Sequence, residues 1–228
     1  MYKMFLPLTW IMLATAPSGV QGQMRLELQQ LLDAPVIGRE HPDAKDNKYG
    51  FEGGSVIKID GTYHMFVAEL AGDPLWVRLR LAHWCSGDAV HWKRAATIKE
   101  TSGKPRGQTG LPYESVWAPM PVYNDAEGRW DLFFVAYDQG GVTGGRIRRA
   151  TSTVAGRAGI GGPYRDVGIV LQPDPQSQPW EGVQGVDSFF PYRANGRWYG
   201  FYGSSEFSPC CTPARRSNAA SGRSAWFG

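Results

Sequence analysis

Cysteine is scarce, with three in 228 residues. Cys210 and Cys211 are adjacent, where a direct disulfide is strained. Cys85 stands alone in strand-like sequence, so neither a disulfide framework nor a metal site is expected of these residues. Charge of one sign is also lacking: 24 Lys and Arg face 21 Asp and Glu, for a net charge of +3. The signs are interspersed and no nucleic-acid motif is present, so no nucleic-acid partner is expected. The one compact basic cluster, Arg146, Arg148 and Arg149, reads as part of an exposed strand. Beyond the N-terminus no apolar run is long enough to cross a membrane. No His/Cys/Asp spacing has the pattern of a zinc site. Gly140 to Gly145 is rich in glycine, but no P-loop Lys-Ser/Thr follows it, which excludes a phosphate loop.

The N-terminus carries the one hydrophobic stretch. Lys3 precedes an apolar segment from Met4 to Ala16, and Val20-Gln21-Gly22 fits a cleavage site, so residues 1–22 read as a secretory signal. A secreted or periplasmic protein follows, with no membrane contact after cleavage. A lead-in spans 23–49. Met24 to Leu32 is expected as a short helix, and the polar stretch around His41 could fold over a site.

Aromatics are abundant (9 Trp, 10 Tyr, 10 Phe), as are Gly (29) and Pro (16). That mixture suits an all-β fold with many turns. It also suits sugar binding, in which flat rings stack on aromatic faces. A unit recurs three times over residues 50–205. Each copy is an apolar run, a tight turn ending in Gly, and a second run with an aromatic two residues later (Tyr63, Trp130, Trp198). The turn glycines Gly61, Gly128 and Gly196 are 67 and then 68 residues apart. Asp60-Gly61 and Asn195-Gly196 are strong hairpin signals, because glycine tolerates the positive φ that two-residue turns require. After the first hairpin, alternation over Trp76 to His83 and a short run Lys93 to Ile98 complete four strands. After the second, Gly145 to Ser152 and Gly162 to Leu171 do the same. Four strands make one propeller blade, and a regular long period means sheets arranged around an axis. The third copy stops after two strands. Residues 206–228 lack alternation and read as an irregular tail, as in a truncated or frame-shifted product. The expected fold is an all-β propeller of four-stranded blades with about two and a half to three blades present.

In a propeller the first strand of each blade lines the central channel. Glu52 and Asp187 each stand nine residues before their turn glycine, so they should project from equivalent places in blades one and three. Glu114 lies three residues before Trp117, at the start of the same strand in blade two. Three acids at one mouth suit glycoside hydrolysis, where one carboxyl protonates the leaving oxygen and another activates water or attacks the sugar. The competing reading is that each acid caps a turn or pairs with an Arg. Trp117 could stack on a sugar or pack between blades. His64 and Phe189 are further candidates for substrate contact. Glu69, Asp138 and Glu206 end second strands and are expected to be solvated or turn residues.

Three stretches resemble the five-bladed β-propeller glycoside hydrolases, family 43 and its relatives. They are Ser55 to His64, Trp117-Ala118-Pro119, and Val186-Asp187 followed by Asn195 to Tyr199. Ser86 to Trp92 and Gly162 to Asp166 resemble the outer-strand signatures of that group. The resemblance implies a five-bladed fold, a carbohydrate substrate and three funnel carboxylates. These are a general base in blade one (Glu52 here, where the family has Asp), a pKa-tuning group matched by Asp187, and a general acid in a later blade. Met120 replaces the acid that often follows Trp-Ala-Pro. No cofactor is expected; Ca²⁺ is implied by the resemblance alone, and a monomer is expected. A non-catalytic carbohydrate-binding propeller and an inactive truncated fragment are the alternatives to an active glycosidase.

Overall fold

The computed structural model describes residues 32–138 and 143–204. The signal segment and the tail 206–228 lie outside the described residues, as does the expected helix Met24 to Leu32 apart from its last residue. Among the described residues, those from Pro35 onward form one compact unit, and that unit is the fold considered below.

Its ten strands fall into three antiparallel sheets in strict chain order. The first blade is β1 (Phe51–Ile59), β2 (Thr62–Leu70), β3 (Leu79–Ser86) and β4 (Lys93–Glu100). The second is β5 (Ser115–Asn124), β6 (Arg129–Tyr137), β7 (Arg146–Ala155) and β8 (Tyr164–Leu171). The third begins with β9 (Asp187–Ala194) and β10 (Arg197–Gly203). The described residues thus build two four-stranded blades and the first two strands of another, an incomplete β-propeller.

The turns explain the registers. Asp60 and Gly61 both have positive φ (48° and 84°), as do Asn195 and Gly196 (50° and 75°). These two-residue turns match the right-handed twist of the strands they join. Ile59 then faces Thr62, and Ala194 faces Arg197. The second hairpin has a longer turn, closed by Gly128 N–H donating to Asn124 O at 2.8 Å with Gly128 at φ 63°. The expected strand from Trp76 starts late: Val77 N–H donates back to Pro74 O, Trp76 takes φ 70°, and pairing begins at Leu79.

The main core lies between the blades. Leu79 and Leu81 of β3, Val116 of β5, Phe134 of β6, Ile147 of β7 and Val186 before β9 are all fully buried in one cluster. A second cluster joins Phe66 of β2 to Trp130 and Leu132 of β6. Period-two alternation sends these residues to the inter-blade faces.

Four expectations are corrected. Glu69 is not solvated: it is fully buried. Arg94 reaches it through Nε at 3.0 Å, Arg80 through Nε at 2.9 Å, and Trp84 donates its indole N–H at 2.9 Å. The register puts Glu69 directly opposite Arg80, which makes the pairing possible. Asp138 is likewise buried, between Arg106 at 3.0 Å and Arg146 at 2.7 Å. The basic cluster on β7 is not a free surface. Arg148 pairs with Asp166 at 3.2 Å and Arg149 with Asp131 at 2.9 Å. Finally, the lead-in does not bring His41 over a mouth. The His41 imidazole bonds Trp92 O at 2.9 Å beside the β3–β4 turn. Ala44 packs with Val67, Trp84 and Trp92 on the same flank of the first blade.

Candidate active site

β1, β5 and β9 are the first strands of their sheets, and each breaks register near its start. The β1–β2 pairing slips between Glu52 and Gly54, the β5–β6 pairing between Trp117 and Met120, and the β9–β10 pairing at Gly203, the partner of Asp187. The residue following each of Glu52, Trp117 and Asp187 lies in the left-handed region: Gly53 at 56°, Ala118 at 44° and Ser188 at 51°. Ala and Ser rarely adopt such angles, so the backbone is held there by its surroundings. A bulge of this kind re-aims a side chain and ends regular pairing. Glu52, Trp117 and Asp187 are therefore the equivalent positions of the three blades. The two extra turn residues before Gly128 hide this correspondence from counting along the sequence. Gly53 and Ala118 also meet, for a Cβ at Gly53 would lie 3.3 Å from the Ala118 Cα.

The Asp187 charge reaches Glu52. Partial burial, and then the Asp187 carboxylate, push Glu52 above its ordinary value. Both mechanisms disfavour the ionised form. Two groups not anticipated from the sequence join them. The Gln184 amide donates to Asp187 Oδ2 at 2.8 Å and contacts the Tyr137 hydroxyl at 3.2 Å. The Ser188 N–H donates to Asp187 Oδ1 at 2.6 Å. The Tyr137 phenol is held protonated well beyond the usual range, first by burial and then by Asp187. Tyr137 comes from the last position of β6 and Gln184 from the link before β9. Neither belongs to a repeated motif. The nearest signal was that Tyr137 ends the strand that returns to the mouth.

A backbone clasp fixes this corner. Gly145 N–H donates to Gln184 O at 2.7 Å and Val186 N–H donates to Gly145 O at 2.9 Å. Gly145 and Gly185 form a parallel bridge, so the second blade sets the position from which Asp187 projects.

The remaining candidates are held by partners of their own. Glu114 precedes β5; its N–H donates to Tyr137 O at 2.8 Å, and its carboxylate accepts the Arg106 N–H at 3.1 Å. Trp117 is only 6% exposed, its indole donates to Ser115 Oγ at 3.0 Å, and its ring lies 5.4 Å from that of Trp76. Phe189 packs 5.4 Å from Phe133 and lines an apolar cleft of about 410 Å³ with Leu171 and Trp198 between the second and third blades. His64 stands opposite Ile57, near the turn end of β2, whereas Glu52 stands opposite Ala68. Its ring is stacked on His83 with centroids 5.2 Å apart, on the face turned to the second blade.

No family model matches the sequence, and no curated protein matches it at a significant level. Solved structures do resemble the fold. A family 117 glycoside hydrolase, Zg3597 from Zobellia galactanivorans, superposes with a TM-score of 0.54 at 15% identity over 70% of this chain and 49% of its own. A family 43 β-1,3-galactosidase, BT0265, gives a TM-score of 0.50 at 20% identity, covering 75% of this chain and 36% of its own. An exo-β-1,3-galactanase from Phanerochaete chrysosporium gives 0.49 at 16% identity, over 72% and 34%. The chain thus spans half or less of the length of these structures. The fold is that of the β-propellers found in glycoside hydrolases of families 43 and 117.

Proposed function

We propose that this chain is a glycoside hydrolase-like protein that cleaves O-glycosidic bonds of a polysaccharide or oligosaccharide by carboxylate acid/base catalysis. The observation that carries this reading is that Glu52 and Asp187 hold the same place on the first strands of their blades, each beside a register break and followed by a left-handed residue, with the Asp187 charge raising the proton affinity of Glu52. Paired carboxyl groups held in unlike surroundings are the usual means of dividing acid from base. Glu52 is exposed on one side and desolvated on the other, and keeps its proton to higher pH than an ordinary glutamate. It suits the donor to the leaving oxygen. Asp187 receives hydrogen bonds from the Gln184 amide and the Ser188 N–H and is fixed in orientation. It suits the carboxylate that faces the sugar or its attacking water. Glu114, at the start of β5, is the third candidate.

Trp117 favours a second reading. It occupies in blade two the place that Glu52 and Asp187 occupy in theirs, and Met120 follows it, so that position presents no acid. A non-catalytic carbohydrate-binding propeller needs none.

Reducing-sugar release separates the two. The panel is arabinan, xylan, algal polysaccharides and galactans, the last including β-1,3-galactan because one structural neighbour is a β-1,3-galactosidase. Hydrolysis should fall at least about a hundredfold in both Glu52→Gln and Asp187→Asn, in line with removal of an acid/base group. Retarded migration in a polysaccharide gel without any release would instead establish the binding propeller. Release that survives both substitutions would remove these carboxylates from the mechanism.

A further inference from the structure

Away from the mouth, three potential metal ligands share one face of the first blade. His64 on β2 is the direct cross-strand partner of Cys85 on β3. His83 lies two residues before Cys85 on the same strand, so alternation turns both to one side. The reactive atoms converge. His64 Nδ1 is 2.9 Å from His83 Nε2, and Cys85 Sγ is 3.5 Å from the first and 3.3 Å from the second. All three ligand atoms lie within 4.8 Å of one another.

We propose that His64, His83 and Cys85 bind a transition-metal ion of the zinc class through two imidazole nitrogens and one thiolate. Zinc takes nitrogen at about 2.0–2.1 Å and thiolate sulfur at about 2.3 Å in a tetrahedron, which sets its ligand atoms about 3.3–3.6 Å apart. The triangle observed here is already near that size. An ion seated just off its plane completes three corners, and the fourth stays open on the side where His64 and Cys85 are half-exposed. The set of two imidazoles and a thiolate suits zinc, cobalt or copper and suits calcium or magnesium poorly.

The surroundings favour the ligand forms of the histidines. Burial, and then His64, push His83 down to about 4, and burial lowers His64. Both rings are therefore neutral at physiological pH. The Phe66 ring stacks on His83 at 4.7 Å and holds its plane. Burial raises the Cys85 thiol, so binding releases one proton from sulfur as the metal–sulfur bond forms. The shared N–H between the two rings moves to the outward nitrogen of one of them. No change of oxidation state is involved.

The test is titration of the untagged chain with Co²⁺ and Zn²⁺. One Co²⁺ per chain should bind and give a thiolate-to-cobalt charge-transfer band, which Zn²⁺ then displaces. Cys85→Ser should abolish the band, and His64→Gln should weaken binding at least tenfold. The double variant Cys210→Ser/Cys211→Ser should retain both. Unchanged far-ultraviolet circular dichroism of the metal-free variants controls for folding, and a Zn²⁺-dependent rise in Tm that Cys85→Ser lacks is a second readout. The proposal is overturned if the band survives in Cys85→Ser, if it disappears in the Cys210/Cys211 variant, or if the folded chain takes up no metal at millimolar concentration. None of these outcomes depends on hydrolytic activity.

Discussion

Asp187 acts on Glu52 across two blades: its negative charge adds to partial burial in raising the proton affinity of the glutamate. The folded-state pKa of Glu52 therefore exceeds the unfolded one. That linkage stabilises the fold fully below the ordinary glutamate value, and the contribution is lost as pH rises through the folded value. Glu52→Gln removes the repulsion. The variant should melt at a higher temperature than the parent near pH 7, and the gap should close as pH falls to about 4. Thermal melts at several pH values measure it; a gap that widens on acidification would contradict the argument.

Glu69 tests the buried charge network of the first blade. Replacing it with Ala leaves Arg80 and Arg94 facing each other without their carboxylate. Removing one partner of a buried ion pair costs about 3–5 kcal/mol. Urea unfolding of Glu69→Ala should show a loss of that order. Arg94→Ala should also be costly, but less so, because Arg80 still faces the carboxylate.

Tyr137→Phe should act on Asp187 through Gln184, whose amide holds both the Tyr137 hydroxyl and the Asp187 carboxylate. A neutral hydrogen bond contributes about 0.5–1.5 kcal/mol, equivalent to roughly two- to tenfold. If the proposed hydrolysis holds, it should slow within that range through kcat, with KM little altered. A loss confined to Tm, with kcat unmoved, would make Tyr137 a packing residue only.

Gly145→Ala should loosen the clasp between the second and third blades. The new Cβ would lie 2.5 Å from Val186 O and 2.8 Å from both Gln184 O and the Tyr137 ring. Forcing a methyl into such a site costs about 1–3 kcal/mol. Because Gln184 and Val186 lead directly into the strand that carries Asp187, activity should fall further than stability. Comparing this variant with Gly61→Ala, which meets no neighbouring atom but is strained at φ 84°, separates crowding from backbone strain.

Much of the architecture could be read from the residues alone, because the signals were local. Asp60-Gly61 and Asn195-Gly196 dictate two-residue turns, and alternation on either side dictates the strands. Glu52 and Asp187 could be paired because their hairpins have the same length. The rest depended on partners distant in the chain. Glu69 reads as a polar strand end until the register sets it against Arg80 and within reach of Arg94. Trp117 reads as a stacking or packing residue, with Glu114 as the second blade's match to Glu52 and Asp187, until Ala118 is seen to turn through the left-handed region. His64 and Cys85 are widely separated in sequence, and only the pairing of β2 with β3 makes them neighbours.

The left-handed residues Gly53, Ala118 and Ser188 have a consequence for how such a molecule changes over time. Each fixes the direction of the side chain just before it by means of backbone shape, independently of what that side chain is. Glutamate, tryptophan and aspartate are all accommodated in the same place. The residue at that place can therefore be altered one codon at a time, with each sheet keeping its register.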